Sequence, residues 1–190
     1  MADRRNITDP KALRALAHPL RWKLLEIVAR EGTATATQCA EETGESVANC
    51  SYHLNTLAKY KYVEHAEGGQ GREKPWQLVS QGQGWDSSAT KDQDFSLAAN
   101  AATGAFLDYT LTQMRERHLT EHLEPADWQE ALGVDNTNDY LTAAEVKEVR
   151  DTIRELMNKF QGRRTDPSLR PEGARFVNLF FSTTVTPDKP

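Results

Sequence analysis

The chain has 190 residues, of which 38% are hydrophobic and 27% charged, and it contains two cysteines. This composition is typical of a folded protein of one or two domains, and it excludes the collagen-like, disordered and disulfide-rich classes. No apolar run reaches the roughly 18 residues of a membrane helix, and the N-terminus lacks the apolar segment of a secretory signal. We therefore expect a cytoplasmic protein in a reducing compartment.

The formal net charge of −5 is distributed unevenly along the chain. Residues 1–80 hold 11 Lys and Arg against 10 Asp and Glu, whereas residues 81–190 hold 12 against 18. A polyanion would therefore be contacted by the first part, and the acidic second part would face away from it. Small, polar and glycine-bearing residues mark the junction. They predict a linker at 81–94 between domains at 1–80 and 95–190.

The first part of the chain predicts four short helices followed by a β-hairpin. Pro10 fits the first turn of one helix, and Pro19 opens the next. Thr35 and Gln38 have the spacing of a capping box, so a third helix begins there. Gly44 ends it after about ten residues at most, which is short for a helix.

Ser46 is a good N-cap for a fourth helix, predicted over residues 46–59. Apolar residues recur in it at intervals of three and four, which predicts one buried face: Val47, Cys50, Leu54, Leu57 and Ala58. Two strand-like runs, 62–66 and 75–79, then enclose a glycine-rich connection and predict a hairpin with a long loop. This order of elements is that of a winged helix-turn-helix.

The outer face of the fourth helix is polar and carries little charge. Asn49 and Asn55 could pair with adenine edges, while Ser51 and Tyr52 could bind phosphates or bases. The helix amides capped by Ser46 favour a nearby phosphate. These residues also fit an ordinary solvated helix face, but such a face more often carries Glu and Lys pairs. DNA contact in the major groove is therefore the favoured interpretation.

The hairpin loop, residues 67–74, carries Arg72 and Lys74. A wing would meet the DNA backbone or the minor groove at this place, and cations would bind there. The alternative is that both cations simply keep a loop tip soluble.

Several short segments combine in one pattern: residues 16–21 (LAHPLR), 24–28 (LLEIV), Ser46, 51–54 (SYHL) with Leu57, and 71–76 (GREKPW). Together they resemble the ArsR-type winged-helix transcriptional repressors of bacteria and archaea, over about residues 9–80. The second half resembles, more vaguely, the C-terminal extension of the larger members. The resemblance implies a homodimer that binds a palindromic operator, with helix 46–59 in the major groove. It adds His53 to the reading helix and supports Arg72 in the wing. The full predicted DNA-binding set is Ser46, Asn49, Ser51, Tyr52, His53, Asn55, Lys59, Arg72 and Lys74.

Metal sensing is not expected. Arsenite- and cadmium-sensing members of that group carry paired cysteines in the helix before the recognition helix, where this chain has threonines. Cys39 lies elsewhere in that helix, and Cys50 falls on the buried face of the next one, where a free cysteine behaves as a small hydrophobe. His118 and His122 are four residues apart, but such pairs without a third ligand are common on surface helices. No metal or cofactor is predicted.

Residues 95–123 predict one long helix. Its small residues would let a second helix approach closely, and a two-fold symmetric DNA reader needs a dimer interface. We therefore expect homodimer contacts through Phe95, Ala98, Ala102, Ala105, Phe106 and Tyr109. The alternative is a helix buried against its own chain.

Further along, Thr142 and Glu145 form a second capping-box pattern ahead of an apolar stripe. Residues 175–185 are rich in β-branched and aromatic side chains and predict a strand, with 135–141 as its candidate partner. The expected fold is thus α+β, mainly α, with a C-terminal α/β extension. Six aromatic residues could line a pocket for a small organic effector or belong to an ordinary core: Trp85, Trp128, Tyr140, Phe176, Phe180 and Phe181.

The predicted function is a DNA-binding transcriptional regulator of the repressor type, acting at the nucleoid of a prokaryote. A winged-helix module that binds proteins instead of DNA is the alternative, because the fold also serves that purpose. An enzyme ranks third. The sequence contains no glycine-rich phosphate loop, no nucleophile paired with a base at a recognisable spacing, and no convincing pair of catalytic carboxylates.

Overall fold

The structure is a computed structural model that describes residues 4–67, 74–80, 82–85 and 92–187. The chain divides into two compact units, Met1–Arg115 and Glu116–Pro190. The fold is α+β and mainly α, as predicted, with an N-terminal winged helix-turn-helix. No helix among the described residues is long and apolar enough to cross a membrane.

The described part of the first unit contains five short strands, four complete helices and most of a long fifth helix. The strands are β1 (Arg4–Asn6), β2 (Thr33–Ala34), β3 (Val63–His65), β4 (Trp76–Leu78) and β5 (Gly82–Gly84). The helices are α1 (Pro10–Leu16), α2 (Pro19–Glu31), α3 (Ala36–Thr43), α4 (Val47–Lys59) and α5 (Gln93–Thr120).

Side-chain caps determine where the first helices begin. The carboxylate of Asp9 and the Nδ1 atom of His18 each accept a hydrogen bond from the backbone N–H two residues further on, at 2.9 and 3.2 Å. Thr35 and Gln38 form the predicted capping box of α3. That helix ends at Gly44, whose φ of 76° lies in the left-handed region that favours glycine. The helix starts predicted from the sequence are confirmed.

The strands form two small sheets. β4 lies between β2 and β3 in an antiparallel sheet, and its pairing with β3 is the predicted hairpin. The sequence analysis did not predict β2, or the parallel pairing of β1 with β5. β5 lies inside the segment predicted as a linker, because its three residues complete a sheet with the start of the chain. The functional roles assigned to residues 1–80 and 95–190 stay predictions.

The core of the first unit contains apolar side chains from α1, α2, α3, α4 and the first part of α5. Fully buried members include Leu13, Leu24 and Leu54. Tyr62 is also completely buried, and its hydroxyl donates a hydrogen bond to the carbonyl oxygen of Ala12 at 2.8 Å. This bond satisfies the polar tip of a side chain that is otherwise surrounded by apolar groups.

The prediction that α5 presents a dimer interface through Phe95, Ala98 and Ala102 is wrong. These three side chains are buried in the core of their own unit, and Ala105 is half-buried. The small residues do permit close approach, as the sequence indicated, but the neighbouring element is part of the same chain. The alternative of a helix buried against its own chain therefore describes this part of α5.

Two further members of the predicted dimer set contact α2. The ring centroid of Phe106 lies 4.8 Å from that of Trp22. The hydroxyl of Tyr109 donates a hydrogen bond to a carboxylate oxygen of Glu26 at 2.6 Å. Aromatic contact and a charge-assisted hydrogen bond together hold α5 against α2.

The second unit begins within α5. Its other helices are α6 (Ala126–Ala131), α7 (Ala143–Asn158) and α8 (Gly162–Thr165), with single 3-10 turns at Glu121–Leu123 and Pro167–Leu169. The capping box of Thr142 and Glu145 starts α7 as predicted. Glu124 and Arg175 form a two-pronged ion pair with distances of 2.6 and 3.0 Å, and the guanidinium of Arg175 also lies 4.9 Å from the ring centroid of Trp128.

The strand predicted at residues 175–185 does not form. The described residues of the second unit contain no strand at all, and the candidate partner at 135–141 also lacks β structure. β-branched and aromatic side chains favour a strand only where a neighbour completes its backbone hydrogen bonds. Neither segment has such a neighbour, so the described extension is helical and irregular rather than α/β.

The described aromatic side chains of the second unit form neither a pocket for an effector nor a buried core, which were the two predicted alternatives. No described side chain of this unit is buried. Tyr140 is fully exposed, and Phe176 and Phe181 are about half exposed. Trp85 belongs to the first unit, where it packs against the core. Effector binding at a pocket lined by these six residues is therefore not supported.

Two neighbouring alanines of α5 test its packing. Ala102 is fully buried and Ala101 is exposed. We expect Ala102→Leu to lower the free energy of unfolding by about 1–3 kcal/mol, because the added methylenes overfill a packed core. Ala101→Leu makes the same chemical change on the outside and should alter it by less than about 0.5 kcal/mol. Urea unfolding curves measure both, and equal effects would contradict the packing of α5 described above.

Candidate nucleic-acid interface

The helix-turn-helix consists of α3, a three-residue turn at 44–46 and α4. Ser46 caps α4 as predicted, since its hydroxyl accepts a hydrogen bond from the backbone N–H of Asn49 at 3.1 Å. The inner face of α4 is fully buried at Cys50, Leu54 and Leu57. This apolar face fixes the rotation of the helix about its axis, and therefore fixes which side chains point outward.

The outer face of α4 presents most of the predicted reading residues to solvent. Tyr52 is 64% exposed, and Asn55 and Lys59 are also exposed. The amide nitrogen of Asn55 donates to the carbonyl oxygen of Ser51, one turn earlier, at 2.8 Å. This bond, with a longer one of 3.4 Å from the same nitrogen to the hydroxyl of Ser51, holds the amide of Asn55 in one orientation and leaves its oxygen available to a ligand.

Asn49 lies at the N-terminal end of the same face and is half-buried. Its amide nitrogen donates to a carboxylate oxygen of Glu45 at 2.8 Å. Glu45 precedes the cap residue Ser46 and is exposed. Glu45 was not among the predicted DNA-binding residues. Its spacing of four residues from Asn49 was the signal that could have indicated a pair.

The predicted DNA contact by His53 is wrong. Its side chain is only 5% exposed, and its Nδ1 atom accepts a hydrogen bond from Nε of Arg21 at 3.1 Å. Its ring centroid lies 4.5 Å from that of His18. The imidazole therefore faces the start of α2, because the apolar face of α4 extends further around the helix than the three-and-four spacing indicated.

Arg21 is a structural residue that the sequence analysis counted only as a positive charge. One side of its guanidinium donates to His53, and its Nη1 atom donates to the carbonyl oxygen of Ala15 at 2.7 Å. Arg21 thus connects the end of α1 and the start of α2 to the reading helix. These partners are distant in the sequence, and no local pattern could have identified them.

The wing is described only at its base. There the ring of His65 stacks on Trp76 with centroids 3.8 Å apart, and Gln77 donates to Glu64 at 3.1 Å. Lys74 is exposed at the start of the second strand run. Arg72 lies outside the described residues, so its predicted DNA contact stays a prediction.

Both cysteines are fully buried. The hydroxyl of Thr43 lies 3.5 Å from Sγ of Cys50. Burial raises the pKa of the Cys39 thiol to about 12, with a smaller contribution from Cys50. The thiolate, which binds metals and reacts with oxidants, is therefore disfavoured at neutral pH.

Of the two histidines predicted to share a helix face, His118 lies near the end of α5 and His122 in the 3-10 turn that follows it. Nδ1 of His118 lies 2.8 Å from a carboxylate oxygen of Glu121 and forms an ion pair with it when protonated. Across the described ranges, no group of three or more His, Cys, Asp or Glu side chains is placed to hold a metal ion.

Residues 16–65 match a family described as a helix-turn-helix domain. This range begins at the last residue of α1 and ends with β3, so it contains both α3 and α4. A stretch of 63 residues is 38% identical to a Streptomyces lividans protein named "Probable mercury resistance operon repressor". The aligned stretch covers 33% of this chain and 50% of that protein, so the chain spans half the length of this relative. These comparisons confirm a helix-turn-helix domain, while the more specific assignment to the ArsR type stays a prediction.

The contact between Arg21 and His53 predicts how stability depends on pH. Burial is the largest cause that lowers the pKa of His53 below its usual 6.5, and nearby His18 and Arg21 lower it further. Just below pH 6.5 the unfolded chain then binds more protons at this position than the folded chain does. The stabilisation is therefore complete above that pH and decreases as the pH falls.

We expect the melting temperature of the protein to fall between about pH 7.5 and 5.5, and to fall less in His53→Gln. Glutamine can still accept the hydrogen bond from Arg21 but does not titrate. Calorimetry of both proteins in matched buffers measures the difference. Identical pH profiles would contradict the assignment of this effect to His53.

Burial of the cysteines predicts slow thiol chemistry. In the native protein at about pH 8, we expect a colourimetric disulfide reagent to modify both thiols far more slowly than in urea, because both side chains are buried and burial raises the pKa of Cys39. The urea-unfolded protein is the control and should release two equivalents rapidly. Rapid reaction of either thiol in the native protein would contradict the buried environment.

Proposed function

We propose that the protein is a DNA-binding transcriptional regulator that represses its targets by placing α4 in the major groove of a palindromic operator as a homodimer. The observation that carries this proposal is the exposed polar face of a rigidly held α4, within the segment that matches a helix-turn-helix domain. Such helices read base edges with the residues near their N-termini. A regulator of this kind acts at the nucleoid of a prokaryotic cell.

The reading surface suits hydrogen bonding better than charge attraction. Tyr52 and Asn55 are exposed on one side of α4, and Asn49 lies one turn earlier. Asparagine can bind both the N6 and N7 positions of adenine, and the phenol of tyrosine can donate to a phosphate or a base. We assign base contact to these three residues.

Homodimer formation needs a surface other than the one predicted from the sequence. Leu97 and Leu111 are exposed on α5, and Gly104 lies midway between them at intervals of seven residues, on the same side of the helix. A Cβ atom added at Gly104 would meet nothing within 4 Å, so this side is open. We propose that it contacts the second copy, since a palindrome requires two-fold symmetry.

Repression is supported by the name of the Streptomyces lividans relative, but we do not extend mercury to this chain. Mercury binding would require accessible thiolates. Cys39 and Cys50 are both buried, and the raised pKa of Cys39 disfavours its thiolate.

Selection of bound duplexes from a random DNA library tests the function directly. We expect enrichment of a two-fold symmetric sequence, with affinity that falls as salt rises. Tyr52→Ala and Asn55→Ala should each weaken binding to that sequence about tenfold, because each removes a base or phosphate contact. Fluorescence anisotropy measures the affinities.

Asn138→Ala is the matched control, because Asn138 is exposed and belongs neither to the reading helix nor to the proposed dimer side of α5. It should leave affinity unchanged. Failure of the protein to bind any duplex at low salt would overturn the proposal and favour a winged-helix module that binds proteins.

A further inference from the structure

We propose that Glu45 is a specificity-determining residue, which with Asn49 makes the leading end of α4 a surface of hydrogen-bond acceptors. This surface selects the exocyclic amino group of adenine or cytosine in the major groove and rejects guanine. The inference rests on the proposed function, since it assumes that α4 enters the groove.

The position of Glu45 brings it to the bases. It lies in the turn between α3 and α4, directly before Ser46, and its side chain is exposed. In a helix-turn-helix the N-terminal residues of the second helix approach the base edges most closely. A carboxylate at this place therefore enters the groove ahead of the rest of the helix.

The hydrogen bond between Glu45 and Asn49 determines what this end of the helix offers. The amide nitrogen of Asn49 donates to Glu45 at 2.8 Å, so one of its N–H groups is turned to the carboxylate. An ionised carboxylate only accepts hydrogen bonds, and the amide oxygen of Asn49 also accepts. The pair thus presents mainly oxygen acceptors.

The donors and acceptors of the major groove decide which bases fit. Adenine N6 and cytosine N4 are donors, whereas guanine presents two acceptors, O6 and N7. Guanine is most often read by arginine or lysine. α4 contains no arginine, and its single lysine, Lys59, is its last residue. A guanine opposite Glu45 would therefore place acceptors against a negative charge with no cation from α4 to offset it.

A carboxylate in this position also has a cost for binding. It repels the phosphates of any duplex, so it lowers affinity for all sequences. The loss of affinity is largest for sequences in which no amino group donates a hydrogen bond to the carboxylate. Discrimination through repulsion of the wrong sequence is an established route to specificity. The favourable interaction of a negatively charged side chain with the N-terminus of a helix would stabilise α4, but it would not distinguish between bases.

Glu45→Gln tests the inference, because glutamine keeps the size and can still accept from Asn49 but has lost the charge. The probe is the duplex selected by the wild-type protein. Each adenine or cytosine of its half-site is replaced in turn by guanine, and the opposite strand receives the matching cytosine. At one position we expect the wild type to lose at least about tenfold in affinity. Glu45→Gln should reduce this penalty several-fold and bind random duplex more tightly.

Base analogues distinguish the two sources of the amino group. At the sensitive position, purine in place of adenine removes the N6 amino group, and 2-pyrimidinone in place of cytosine removes the N4 amino group. The wild type should lose about tenfold with one of the two analogues, and Glu45→Gln should lose less. The analogue that weakens binding identifies the base.

Glu148→Gln is the matched control. It removes the same charge from an exposed site on α7 and should leave base preference unchanged. If the wild type and Glu45→Gln bind the selected duplex but pay equal penalties for guanine, the inference is overturned and the proposed function stands. If neither binds any duplex, the proposed function itself fails. Equal melting temperatures together with altered base preference would support a role in recognition rather than in helix stability.

Discussion

The burial of one face of α4 is the constraint on which the rest of the interface depends. Cys50, Leu54 and Leu57 are fully buried, and each side chain of this kind contributes roughly 1.5–3 kcal/mol when it leaves water. These side chains prevent the helix from rotating about its axis. Tyr52 and Asn55 are consequently presented outward, so the precision of the reading face originates mainly in the apolar core, and the bond from Asn55 to Ser51 adds to it locally.

The same helix is also held from the side. Arg21 donates to His53 and to the carbonyl oxygen of Ala15, and His18 caps α2 while its ring lies against His53. These contacts tie the junction of α1 and α2 to the middle of α4. A movement of α4 relative to α2 would therefore break a hydrogen bond to a nearly buried imidazole, which would then lack a partner. The polar contacts at this junction therefore fix the position of α4 together with its apolar packing.

Local signals were sufficient to predict most of the first unit. Caps such as Thr35 and Ser46 act within one turn of helix, and the apolar spacing of α4 correctly gave Cys50, Leu54 and Leu57 as buried. Val47, which the same spacing placed on the buried face, is 43% exposed. Local patterns do not show which elements pack against one another. The small residues of α5 indicated close packing, but spacing contains no information on whether the neighbour is α2 or a second copy. The bond between Arg21 and His53 and the failure of residues 175–185 to form a strand likewise depend on the whole fold. The exposure of side chains on α4 was predicted well where it follows from the helix period, and wrongly at His53, which lies at the border of the buried face.

The ion pairs of the first unit explain why hydrogen bonding should dominate its recognition of DNA. Among the arginines of residues 5–67, Arg5 donates to backbone carbonyls, Arg14 pairs with Asp94, Arg21 binds His53, and Arg30 pairs with Glu31 and Glu42. Each of these guanidinium groups has a partner within the chain, and Glu42 and Glu31 raise the pKa of Arg30 further. Contact of these arginines with phosphates would require some of these bonds to be exchanged, so their gain from counterion release is reduced. A protein with reduced sequence-independent affinity depends more on base contacts for its binding energy. For a strongly basic regulator, a single carboxylate at the groove would change the binding energy only slightly. In a protein that depends on base contacts, the same carboxylate has a large effect on which sequence is bound.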